Sequence, residues 1–224
     1  EEPGICRDKI FKIQNLKSKI QNRMTNQDWL ITDDGRCEAR EIIEQDELSE
    51  NPYRLFRFLT DLEDILRNIS DDTERLEKIR PIVRRLLNSS EWLHYEYLEP
   101  DADTGWSVTT LYDEPDFPLT VQTVVWLPGS VSPIHNHATW GVVAILSGEE
   151  KNTLWKKENS DDKRIEKAGE LILSPGDIIS LTPDAIHNIE VMGDEPTVSF
   201  NLYGETNYNQ RFEFDPINCT AANF

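Results

Sequence analysis

The spacing of apolar residues changes near residue 100, and that change divides the chain. Before it, apolar positions recur every three or four residues, the mark of a helix with one buried face. Arg7 to Met24 carries Ile10, Ile13, Leu16 and Ile20 in this way. Trp29 to Asn51 is polar and irregular and reads as a connecting arm. Pro52 then stands where a first helical turn tolerates proline, and Leu55, Phe58, Leu59, Leu62, Ile65, Leu66 and Ile69 form one apolar stripe. Ser70, Asp71 and Asp72 supply a cap for the next helix, whose stripe is Leu76, Ile79, Ile82, Val83, Leu86 and Leu87; Pro81 is expected to kink or divide it. A short segment around Trp92 and Leu93 closes the helical part. After Pro100, short β-rich runs follow one another between Gly, Pro and Asp: Trp106–Tyr112, Thr120–Leu127, Gly141–Leu146, Glu150–Lys156, Glu170–Leu173, Asp177–Leu181, Ile186–Val191 and Thr197–Tyr203. Many short, evenly spaced strands predict a sandwich or small barrel. The expected fold is mainly β with a helical N-terminal region. Its parts are an arm over 1–51, a helical segment over 52–99 packed on the barrel, and a β-barrel over 100–224.

Composition narrows the partners. The 224 residues hold 23 Lys plus Arg against 42 Asp plus Glu, a net charge of −19. Such a charge repels phosphate backbones and anionic membrane surfaces, so neither nucleic acid nor lipid is expected as a partner. A soluble acidic surface accounts for it. No run approaches the ~20 apolar residues of a membrane span. Cys6, Cys37 and Cys219 are odd in number and irregular in spacing, which does not describe a disulfide framework and suggests a reducing cytoplasm; one bridge between the chain's ends stays open. The first residue is Glu1, as if a leader or tag had been removed. Three Asn-x-Ser/Thr triplets, at Asn68, Asn88 and Asn218, recur by chance often enough to decide nothing. A monomer is the expected state.

Of four histidines, three fall in two short segments: Pro133-Ile134-His135-Asn136-His137 and Pro183-Asp184-Ala185-Ile186-His187. Residues two apart on a strand face the same way, so His135 and His137 can reach one point, and His187 can join them from a second strand. Three neutral imidazoles make an open metal site with positions left for chemistry. The competing reading is three unrelated surface histidines. His94, in Glu91-Trp-Leu-His94, lies away from both segments and reads as structural or exposed. Asp71-Asp72 and Asp161-Asp162 read as caps or loop tips.

Gly129, five residues, His135-x-His137 and Gly148 reproduce the first signature of the cupins, with Gly141 where many cupins place a glutamate ligand. Gly176-Asp177, Pro183 and His187 resemble the second signature, with Ala185 in place of its glycine. The stretches PIHNHATWGV, LSPGDI and SFNLYG resemble the thiol dioxygenase branch, cysteine dioxygenase and, more closely, the bacterial 3-mercaptopropionate-type enzymes. LFRFLTDLEDIL and LYDEPDFPLTVQTVVWLPG fit the second group, so the resemblance covers about 52–216.

That resemblance implies a cupin barrel in which His135, His137 and His187 hold Fe(2+). A small carboxylate-bearing thiol, of the 3-mercaptopropionate or cysteine type, would react with O2 to give a sulfinic acid. It also implies a Ser-x-His-x-Tyr strand, matched here by Ser199, Asn201 and Tyr203. Asn201 is a departure: asparagine can hydrogen-bond the tyrosine but cannot take up a proton near neutral pH. The competing reading of Tyr203 is an ordinary barrel-core tyrosine. Some members cross-link that tyrosine to a cysteine; with Gly141 near that location and no cysteine near the motif, no cross-link is expected. Arg211 approximates the family's carboxylate-binding arginine, or forms a surface salt bridge. Trp140 is expected as a pocket wall or plain core. Two other readings remain: a metal cupin acting on a non-thiol substrate, and a non-catalytic cupin that binds a metal or small ligand.

Overall fold

The computed structural model describes residues 26–43, 52–94, 98–159 and 163–223. The expected helix over 7–24 lies outside the described residues, as do the Asp161-Asp162 pair and the side chain of His94. Two helices precede most of the strands: α1 (Leu55–Asn68) and α2 (Asp72–Ser89), followed by a 3-10 turn over Glu91–His94. Asp71 caps α2, its carboxylate accepting from the Glu74 backbone N–H at 2.8 Å. Helix α1 begins three residues after Pro52. Helix α2 is not divided at Pro81 but runs through it as one element. The flanking Ile79, Ile82 and Val83 are buried on the same face and hold both halves to the sheet across the missing N–H.

The strands form two sheets. The first joins β1 (Asp28–Ile31), β2 (Cys37–Arg40), β3 (Trp106–Tyr112), β4 (Thr120–Trp126), β6 (Gly141–Ser147), β9 (Ile178–Leu181) and β11 (Thr197–Tyr203), in the order β2-β1-β9-β6-β11-β4-β3. The second is β13-β12-β5-β10-β7-β8, built from β5 (Ile134–His135), β7 (Glu149–Lys157), β8 (Ile165–Leu173), β10 (Ile186–Met192), β12 (Phe212–Asp215) and β13 (Thr220–Asn223). The supposed arm after Trp29 is therefore partly sheet: β1 lies parallel to β9, in register Asp28↔Ile178 to Ile31↔Leu181. Its four residues are too few to show a period, and they become a strand because β9 presents an open edge.

The first sheet is covered on both faces, and strand alternation assigns each residue to one. On β6, Val142, Ala144 and Leu146 join the core shared with the helices, while Val143 and Ile145 belong to a second core with Leu154, Leu173 and Leu181. On β11, Val198, Phe200 and Leu202 face the helices, where Phe58 meets Phe200 edge-on at 6.3 Å. Burying a side chain such as Phe58 contributes ~2–3 kcal/mol. The other β11 face, Ser199, Asn201 and Tyr203, is left for a cavity between the sheets.

Candidate metal centre and its cavity

That cavity is about 570 Å³ and takes walls from strands of both sheets. His135 stands on β5 and His187 opposite it on β10, the two being register partners. His137 follows just after β5, where Ala138 adopts a left-handed backbone (φ 53°) that turns the chain toward β6. The two histidines of the HxH motif are thus not both on one strand; His137 joins the others from the turn that follows β5. The ligand nitrogens of the three rings lie within 4.8 Å of one another.

Hydrogen bonds fix two of the tautomers. His135 donates from Nδ1 to the Pro133 carbonyl at 2.9 Å, and His187 donates from Nδ1 to Asn152 Oδ1 at 2.9 Å. Asn152 in turn donates from Nδ2 to Glu150 Oε1 at 3.1 Å, which sets its amide orientation. Each ring therefore keeps Nε2 as a bare lone pair, the arrangement that outer partners impose on metal-bound imidazole. Burial, together with the mutual repulsion of the rings and the charge of Arg211, holds His137 far below the usual imidazole range; burial and His135 do the same to His187, and His135 falls to about 4. All three are neutral at pH 7. His137 Nε2 and His187 Nε2 stand 3.1 Å apart. Two nitrogens each ~2.1 Å from a shared ion at a right angle lie ~3.0 Å apart, so this pair fits a first-row metal as it stands. Bringing the third onto the same ion needs a contraction of no more than about 2 Å.

Tyr203 stacks on His137, ring centroids 4.4 Å apart at 21°. It donates its hydroxyl to Asn201 Oδ1 at 3.0 Å, and Asn201 donates from Nδ2 to Ser199 Oγ at 2.8 Å. Burial and the nearby Glu150 keep the phenol protonated, against the pull of Arg211. Gly141 makes room for the tyrosine: a Cβ there would sit 2.7 Å from Tyr203 Cδ1. The space a side chain would take at Gly141 is thus filled by the Tyr203 ring.

Arg211 lies on the cavity wall, just before β12. Asn136, between the two histidines of the motif, is buried and grips the chain on both sides of it, donating from Nδ2 to the Gln210 carbonyl (2.9 Å) and accepting from the Phe212 N–H (2.8 Å). Trp140 corrects an expectation: it does not line the cavity. It is buried in the core beneath the helices, because Gly141 takes the inward position and its neighbour must face outward. Glu150 and Asn152 were missed. In the strand Glu150–Lys156 nothing in the sequence distinguishes inward Glu150 from outward Lys151.

No protein-family model matches the chain. Among solved structures, an oxalate oxidase in complex with the substrate analogue glycolate aligns over 50% of this chain and 57% of its own, at 16% identity and a TM-score of 0.41. A Cupin_2 domain of an XRE family transcriptional regulator from Enterobacter cloacae aligns over 46% of this chain and 99% of its own, at 15% identity and a TM-score of 0.35. For a cupin superfamily protein from Desulfitobacterium hafniense the figures are 49%, 84%, 13% and 0.37. The chain spans little more than half the length of the oxalate oxidase it matches. No described helix is long and apolar enough to cross a membrane.

Proposed function

We propose that the chain is a cupin-type, ferrous-iron-dependent thiol dioxygenase, converting a small carboxylate-bearing thiol and O2 to a sulfinic acid (RSH + O2 → RSO2H), in the cytoplasm. The observation that carries this reading is a trio of neutral imidazoles meeting beside a stacked, protonated tyrosine. Neutral nitrogen donors suit Fe(2+), and His135, His137 and His187 would hold it with adjacent positions left open. Ferrous iron, when bound there, supplies the one-electron chemistry that ground-state O2 requires. The chain's own groups do the rest. Tyr203 has a proton to donate, and swinging it from Asn201 toward the reacting sulfur or oxygen costs one neutral hydrogen bond. Ser199 and Asn201 hold that hydroxyl at the ready. Asn201 cannot accept the proton that a histidine at this position could, so the phenol delivers its hydrogen bond without a titrating partner. Arg211 supplies a fork of donors for a substrate carboxylate, such as that of 3-mercaptopropionate or cysteine.

Metal analysis coupled to product mass spectrometry tests this. Iron-loaded protein should form sulfinate from 3-mercaptopropionate or cysteine, and replacing any one of the three histidines by alanine should abolish iron retention. Full iron loading with no sulfinate from any thiol rejects the reading. The cavity size favours one alternative, a metal-dependent oxygenase acting on a larger non-thiol substrate, since about 570 Å³ exceeds what a six-heavy-atom thiol fills. Oxygen uptake without thiol would support it.

A further inference from the structure

A buried acid in the cavity wall has no substrate group assigned to it in the proposed reaction. Glu150 is 3% exposed, faces the cavity from β7, and hydrogen-bonds Asn152 Nδ2. Among the described residues no Lys or Arg forms an ion pair with it; the cavity's one cationic wall residue is Arg211. A buried carboxylate without a counter-charge is costly, and folds retain one chiefly where something supplies the missing cation. The acid stands one side chain beyond Asn152, on the far side of Asn152 from the His187 ring. A ligand anchored at the histidines would have to extend along β7 to reach it, and the cavity has the room. Apart from the histidines, Glu150 and Arg211, the cavity wall is apolar or neutral, with Val143, Ile179, Ile189 and Gln122 among its residues. That is the lining for a short alkyl chain ending in a charge.

We propose that Glu150 receives a primary ammonium group of the substrate, so that the thiol taken by this enzyme is an aminothiol whose amine reaches past Asn152 toward β7. This rests on the thiol dioxygenase reading and sharpens it. A carboxylate-only thiol would leave Glu150 buried beside neutral methylenes, whereas an ammonium supplies both the counter-charge and up to three donors. Arg211 remains available to a carboxylate on the same molecule.

Anaerobic calorimetry on the iron-loaded full chain tests the proposal without turnover. The ligands are cysteamine, 3-aminopropanethiol and 5-aminopentanethiol, each against the hydroxyl-terminated thiol of equal length. At least one amine should bind about tenfold or more tightly than its hydroxyl counterpart, and Glu150→Gln should bring that amine-to-hydroxyl ratio close to one. No preference in the native protein overturns the proposal, and so does a preference that survives Glu150→Gln. Sulfinate production is read separately. A Glu150-dependent amine preference without sulfinate upholds this assignment and rejects the dioxygenase reading; sulfinate without the preference does the reverse.

Discussion

Replacing Glu150 by glutamine should stabilise the metal-free protein, and by an amount that depends on pH in a definite way. Burial pushes the Glu150 carboxyl from 4.5 up to about 7, only partly offset by the hydrogen bond from Asn152. Below pH 4.5 the acid is protonated in both the folded and the unfolded chain and contributes no difference. Between 4.5 and about 7 the unfolded chain releases its proton while the folded chain keeps it, so stability falls by ~1.4 kcal/mol per pH unit. Above about 7 both states are ionised and the full penalty, roughly 3 kcal/mol, stays in place. Glutamine matches the shape, can still meet the Asn152 amide, and carries no charge to desolvate. The variant's advantage should therefore be near zero at pH 4.5, grow through pH 6, and level off near pH 7 at ~3 kcal/mol, or roughly 6–12 °C in Tm for a chain of this size. Thermal melts of both proteins with chelator, at half-unit steps from pH 4.5 to 8, measure it directly. An advantage that stays constant across that range, or that grows toward acid, would show that the carboxylate is not desolvated as described. Iron at the histidines should shrink the gap, because its charge favours the ionised acid.

Asn152→Leu removes the acceptor for His187 Nδ1–H and should weaken iron binding by about 10- to 100-fold with the fold intact, as metal titration would show; unchanged affinity would mean that the amide does not orient the ring. Asn136→Ala frees the chain on both sides of Arg211, so KM for carboxylate-bearing thiols should rise several-fold more than kcat falls; equal changes for thiols lacking a carboxylate would count against it. Gly141→Ala drives a Cβ into the Tyr203 ring, which also stacks on His137. Turnover should fall by roughly tenfold or more while iron still binds, and a fully active variant would remove Tyr203 from the reaction. Asp28→Ala strands Arg84 and Arg80, which approach it from α2 in the interior, and should cost ~3–5 kcal/mol in urea unfolding; a loss under 1 kcal/mol would make the cluster dispensable.

What the sequence discloses follows from how much each signal repeats. The strand at 197–203 is readable to the residue because its polar and apolar positions alternate from Thr197 to Leu202; the one at 106–112 is marked by its β-branched and aromatic residues between turn signals. β1, β5, β12 and β13 span four residues or fewer, too short for any period, and they exist because a neighbour offers an edge: β9 for β1, and β10 with β12 for β5. Trp140 was misplaced by proximity, since adjacency in sequence to His137 counts for nothing once Gly141 has claimed the inward face. Glu150 was invisible for the opposite reason. A glutamate on an acidic chain looks like surface, and only the pairing of β7 with β10 turns it inward.

The same pairing joins the chemistry to the scaffold. β7 and β10 run antiparallel with His187 opposite Leu154 and Ile189 opposite Asn152, so a shift of one residue in register would turn the β7 side chains to the other face. Asn152 would leave His187, Glu150 would reach solvent, and the imidazole would lose its tautomer. β11 is constrained in the same way. Phe200 and Leu202 anchor it to the helices on one side, and that anchorage decides that Ser199, Asn201 and Tyr203 face the histidines on the other. His187 on β10 and Tyr203 on β11 thus take their inward facing from strand register, while His135 and His137 come from β5 and the turn after it. Of the groups that would choose among substrates, Glu150 accepts from Asn152, and Asn136 fixes the backbone on both sides of Arg211. On the proposed reading, one substitution at Arg211, Glu150 or their asparagine partners would alter substrate preference, whereas a one-residue slip of β7 against β10 would disturb the metal trio and its support together.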